Sequence, residues 1–118
     1  MVATVLTALV AILHFYFLIL EMFLWEKPAG RQAFGLSAEM AKATHTLAGN
    51  QGLYNGFLAA GLVWALYRGA AGLEMRYFFL GCVVAAGLYG AATVGKKILW
   101  IQALPAALAL VATLLSRG

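Results

Sequence analysis

Charge is what this chain has least of. Only 10% of its 118 residues are charged, the acids are four glutamates, and aspartate is absent. A soluble domain carries roughly 25% charged residues. Hydrophobic residues make up 64% of the chain, and the mean hydropathy is +0.91. A single domain this small cannot hide so much apolar surface from water. That excludes an ordinary soluble domain and predicts an integral membrane protein. Cysteine is nearly missing too. Cys82 stands alone in an apolar run, so an intramolecular disulfide is excluded. The basic residues are scattered between the apolar runs and form no continuous patch. That excludes a nucleic-acid surface and suits membrane-edge anchors. There is no low-complexity segment and no internal repeat.

What is present is four apolar runs, at about residues 2–25, 47–67, 77–95 and 98–115. Each approaches the roughly 17–25 residues that a spanning helix needs. The first has no basic residue before its apolar core and ends in bulky Glu21-Met22-Phe23-Leu24-Trp25. It therefore reads as a retained helix, not a signal peptide. Pro28 and Gly30 break that helix. Ser37 is placed as an N-cap, with Leu36 as its staple residue. The helix formers after it predict a second helix unbroken from 38 to 67. Arg68 to Arg76 reads as a short polar connection. Gly87, Ala91 and Gly95 mark a packing seam, and Tyr89, Thr93 and Lys96 another stripe. Lys96-Lys97 leaves room only for a tight hairpin, and Pro105 is expected to kink the last helix. The expected fold is all-α: one domain over 1–118, an integral membrane bundle of four transmembrane helices at about 2–25, 38–67, 77–95 and 98–115. Lys27, Arg31, Lys42, Lys96 and Lys97 fall on one side, and Arg68, Arg76 and Arg117 on the other. The positive-inside rule then favours a multi-pass protein of the cell membrane with both termini outside.

Polar residues inside these runs are few and specific. His14 and Glu21 are seven apart, two helical turns, and so lie on nearly the same face. Trp25 continues their stripe. Glu21 either meets the headgroup region beside Lys27 or Arg31, or is a buried carboxyl facing His14 and the second helix. Ionisable residues within a membrane mark function by default. Asn50, Gln51, Tyr54 and Asn55 form a polar arc of roughly 140° on the second helix. Gly52 and Gly56 form a small-residue pair on the other side, suited to close helix approach. His45 projects above that glycine side. Gln102, in the last run, is placed to turn toward the polar cluster or to bond another helix.

The residues His14-Phe15-Tyr16, Leu20-Glu21-Met22-Phe23-Leu24-Trp25, Pro28-Ala29-Gly30-Arg31 and Asn50-Gln51-Gly52-Leu53-Tyr54-Asn55-Gly56-Phe57-Leu58 resemble a known family. It is the group of small integral membrane proteins catalogued as domain of unknown function 1304. Gln102 with Pro105-Ala106 fits as well, so the resemblance spans essentially the whole chain. It implies a four-helix membrane protein and no particular chemistry. A fainter likeness to four-helix membrane enzymes of the glutathione-transferase-like eicosanoid and styrene-oxide-isomerase type carries over no residue.

Three functions follow from these residues. One is an intramembrane site for a small apolar, lipid-soluble molecule, which it binds or transforms. There Glu21 or His14 would move a proton, and Asn50, Gln51, Tyr54, Asn55, Trp25 and Gln102 would bind. Another is a proton-coupled transporter acting as a dimer, with Glu21 alternating between a proton and cargo; the small-residue faces permit a homo-oligomer. The third is a haem protein with His45 or His14 as axial ligand. No other metal site is expected, and the expected partners are the bilayer, the ligand and further copies of the chain. Whether the protein is an enzyme is left open by these residues.

Overall fold

The computed structural model describes residues 1–117, and of Arg117 the backbone alone. The membrane-edge role expected of the Arg117 side chain falls outside the described residues. The chain is all-helical, with no strand among the described residues. It divides into two compact units. One is Leu13–Ala59; the other is Met1–Ile12 together with the chain from Ala60 onward.

Helix α1 spans Val2–Met22. It stops short of Trp25, where the apolar run ends. The Phe23 and Leu24 amides both donate to the Ile19 carbonyl, at 3.0 and 3.2 Å, which uses up the last turn. Lys27 is then extended, with φ −81° and ψ 161°, as the residue before a proline prefers. A short helix, α2, follows over Pro28–Phe34. The sequence reading treated Pro28 as a breaker. At the first helical position its missing N–H costs nothing and its φ is already helical, so it starts a helix instead. Gly35, at φ 64°, ends α2, and the Leu36 amide closes back on the Arg31 carbonyl at 2.9 Å.

Helix α3, Ala38–Ala43, is capped as expected: the Ser37 hydroxyl accepts from the Met40 amide at 3.1 Å. The helix from 38 to 67 is not unbroken. Thr44 sits at φ −104°, ψ 7°, and α4 begins at His45 and runs to Tyr67. The Thr44 hydroxyl donates to the Met40 carbonyl at 2.7 Å and accepts from the Trp25 indole at 3.0 Å. A hydroxyl bonded back to the preceding turn bends a helix, and here a neighbouring indole holds the bend in place. The Trp25 ring also meets Phe34 at 4.8 Å.

The other unit is organised by glycine. In the second half of α4, Gly61 is covered by the Phe79 ring. A 3-10 turn at Gly69–Gly72 and helix α5, Leu73–Thr93, occupy the stretch expected as a polar loop. Arg76, expected at the membrane edge, is in α5 and only 8% exposed, and its Nε has no hydrogen-bond partner among the described residues. The buried face of α5 runs through Leu80, Val83 and Gly87, not through Gly95, which lies beyond the helix. Tyr89 faces outward. A Cβ on Gly87 would lie 2.6 Å from the Ala103 amide nitrogen and 2.8 Å from its Cα, so the two backbones nearly touch. Ala103 ends a π-helical segment, Leu99–Ala103, ahead of helix α6, Leu104–Arg117. Pro105 removes one backbone donor, and the widened turn before it is where the distortion settles.

Three stretches are long and apolar enough to cross a membrane: Val2–Met22, Gly69–Thr93 and Leu99–Ser116. Helix α4 has 23 residues. Its amides and glycines lower its hydropathy below that of the other three.

Candidate functional site

The last turn of an α-helix is a poor place for a carboxylate. Its carbonyls point outward unpaired, and the helix dipole is negative there. Glu21 occupies that turn of α1, no basic residue accompanies it, and it is 2% exposed. Donors must therefore come from elsewhere, and α4 supplies them. Gln51 Nε2 donates to Glu21 Oε2 at 2.6 Å, and Asn55 Nδ2 donates to Glu21 Oε1 at 2.5 Å. The i, i+4 spacing of Gln51 and Asn55 sets both amides on adjacent turns of one face. Each carboxylate oxygen thus has its own donor. Both amides turn their NH2 groups toward the carboxyl, as an ionised carboxylate requires, and keep their carbonyl oxygens for another donor.

Glycine makes this reach possible. A Cβ on Gly52 would stand 2.7 Å from Met22 Cγ, 3.0 Å from Glu21 Cβ and 3.3 Å from the Leu18 carbonyl. One on Gly56 would run into the Leu18 side chain. The sequence reading put these glycines opposite the polar residues. In the structure Ala48, Gly52, Asn55 and Ala59 share the buried face, so the small residues and the inner amide work together.

The remaining sequence candidates are dispersed. Asn50 and Tyr54 lie on the exposed side of α4, with Tyr54 against the Phe57 ring at 5.7 Å. His14 is fully buried and meets Phe17 edge-on at 5.3 Å. It is two turns, about 10.5 Å of helix rise, from Glu21. Trp25 serves the Thr44 junction. Gln102 is in the π-helical segment of the other unit. The alternative pairing of Glu21 with Lys27 or Arg31 does not form; the amides take its place.

One pair escaped the sequence reading. His45 Nδ1 lies 3.3 Å from Glu26 Oε2, with both side chains about half exposed. These residues join Met22, Phe23, Trp25 and Lys27 around a cleft of about 330 Å³. Glu26 follows the end of α1 and His45 begins α4. Two antiparallel helices joined by a doubled-back connection bring such positions together, and that was the available signal. His45, the candidate haem ligand, is therefore engaged at the rim by a carboxylate.

With this geometry in view, the comparisons with known proteins are specific about kinship. A family model described as protein of unknown function (DUF1304) matches residues 8–114. An uncharacterized protein, YpaA, of Lactococcus lactis subsp. lactis (strain IL1403) is 34% identical over 111 residues, covering 92% of this chain and 93% of that protein. No solved structure gives a significant match. The chain belongs to the DUF1304 family.

Proposed function

We propose that this chain is a multi-pass membrane protein in which α1, α4, α5 and α6 all cross the bilayer, and that Glu21, Gln51 and Asn55 hold the polar atom of a small lipid-soluble molecule. One observation carries the reading. A carboxylate that is 2% exposed has each oxygen bonded by an amide from a single neighbouring helix. Packing alone asks for much less, since interhelical hydrogen bonds in membranes average about 0.6 kcal/mol each. The groups left over define the ligand class. Glu21 keeps a second lone pair on each oxygen, and the two amides keep their carbonyl oxygens. With Glu21 ionised all are acceptors, and the ligand that matches this form is apolar with one donor group, a hydroxyl or an amine. Such a molecule would enter the bilayer and find in this cluster the hydrogen bonds that hydrocarbon denies it. Lys27, Arg31 and Lys42, near the Glu21 end of α1 in sequence, suit the cytoplasmic side, with the termini outside.

The test is mass spectrometry of what co-purifies with the protein in mild detergent. The wild type is expected to carry a stoichiometric small molecule with a hydroxyl or amine. The triple variant Glu21→Leu/Gln51→Leu/Asn55→Leu is expected to lose it and stay folded, because replacing a whole buried polar network by apolar groups is often neutral or stabilising. No bound molecule in the wild type, together with a triple variant that unfolds, would make the cluster structural glue.

A further inference from the structure

The site uses only one side of α4. At about 100° per residue, Asn50, Leu53, Tyr54 and Phe57 fall within an arc of roughly 100° on the opposite side. Leu53, Tyr54 and Phe57 are 42%, 57% and 55% exposed, and Asn50 is exposed as well. Leu53 and Phe57 face lipid without difficulty, and Tyr54 presents a ring with a single hydroxyl. Asn50 is different. Its amide has two donors and a carbonyl acceptor, and among the described residues it has no hydrogen-bond partner. A helix of 23 residues rises about 35 Å against a hydrocarbon core of about 30 Å. Asn50 then lies about 5 Å inside the core, where acyl chains offer it nothing.

We propose that a second copy of this chain docks on this face, with Asn50 bonded to Asn50 of the partner subunit. The occupant follows from the chemistry of the group. An amide donates and accepts at once, so it is its own complement. A twofold axis along the membrane normal brings the same residue of two copies to the same depth. The spacing of 50, 53, 54 and 57 is the a, d, e, a seam of a left-handed helix pair, and a polar residue at one such position fixes register. The second copy also completes the first site. Gln51 donates to Glu21 yet is itself exposed, one residue from the seam. The partner helix covers that edge and closes the cluster from lipid. The proposal rests on α4 crossing the bilayer as inferred above; it does not require that the Glu21 cluster bind a ligand.

The test is disulfide cross-linking in native membranes, with Cys82→Ser as the background and copper phenanthroline as the oxidant. Asn50→Cys and Phe57→Cys are each expected to convert most of the chain to a dimer, while Phe78→Cys, on the exposed side of α5, stays monomeric. Asn50→Leu, which breaks no contact within the chain, is expected to weaken self-association in vesicles about tenfold by energy transfer between labelled copies. Equal cross-linking at all three positions, or none at 50 and 57, overturns the docking. The premise is read separately. If the thiol introduced by Phe57→Cys reacts freely with a membrane-impermeant maleimide, α4 does not cross, and both readings fall together.

Discussion

Two close helix approaches in this protein use the same device to different ends. Where α5 meets the π-helical segment, Gly87 lets its backbone come against Ala103. Where α4 meets α1, Gly52 and Gly56 do the same against Leu18, Glu21 and Met22. The first seam is apolar, flanked by Leu80, Val83, Ala106 and Ala109, all fully buried. Two buried threonines in that unit bond within their own helices: Thr7 donates to the Ala3 carbonyl and Thr113 to the Ala109 carbonyl, each at 2.7 Å. The second seam sends three polar side chains across the gap. Close approach of Gly87 to Ala103 thus rests on small and apolar residues, whereas that of Gly52 to α1 is joined by amide hydrogen bonds to Glu21. That contrast is what supports the proposal of a binding site at Glu21.

The contrast is broken most forcefully at the glycines. Gly87→Leu is expected to cost about 3 kcal/mol or more, because the atoms in its way are backbone. Gly52→Leu is expected to cost less, about 2 kcal/mol, since its nearest obstacles are the side-chain atoms Met22 Cγ and Glu21 Cβ and not backbone. Thermal unfolding in detergent measures both. Equal losses would mean that the α1 seam is as rigid as the α5 seam. Next in size is Glu21→Leu alone. It leaves Gln51 and Asn55 facing an alkyl group, for an expected loss of about 1–2 kcal/mol, while the triple leucine variant recovers most of it. Failure of the triple variant to recover would show that the polar bonds hold the helices together.

The sequence was informative where one residue type admits one use. The apolar runs foretold an all-helical chain, in which three stretches are long and apolar enough to cross a membrane. A buried Glu21 facing the second helix is one of the two readings its position allows, and of the four arc residues the structure brings only Gln51 and Asn55 to it. The arc around those amides was drawn too wide. Asn50 and Tyr54 belong by angle to the same arc, but a helix buries only part of its circumference against one neighbour. Ala48, Gly52 and Ala59 were the markers of that part, because small residues show where another backbone comes close. Reading them as a separate side hid the fact that Asn55 lies among them. Helix α2 was lost for a similar reason: Pro28 has opposite meanings inside a helix and at its first position, and only the extended Lys27 before it tells which applies. The break at Thr44 depends on Trp25, nineteen residues away, and no local pattern encodes it.

The smallest expected effect tests where the polar region ends. The pair Glu26–His45 lies beside the α1 terminus, only a few residues beyond Glu21, and it could be counted with that cluster. Its side chains are 57% and 47% exposed for His45 and Glu26, and the contact is 3.3 Å. When the imidazole carries its proton the contact is an ion pair, and one so open to solvent is screened and typically contributes between about 0 and 1 kcal/mol, in the lower half of that range when half of each group is in water. Glu26→Gln is therefore expected to lower stability by at most about 0.5 kcal/mol, with the difference vanishing at about 1 M salt, where the screening length falls to about 3 Å. Unfolding curves at low and high salt decide the matter. A loss that is larger and insensitive to salt would mean the pair is shielded as Glu21 is, and the polar region of the α1 terminus would then extend through the cleft of Met22, Phe23, Trp25 and Lys27 to the surface.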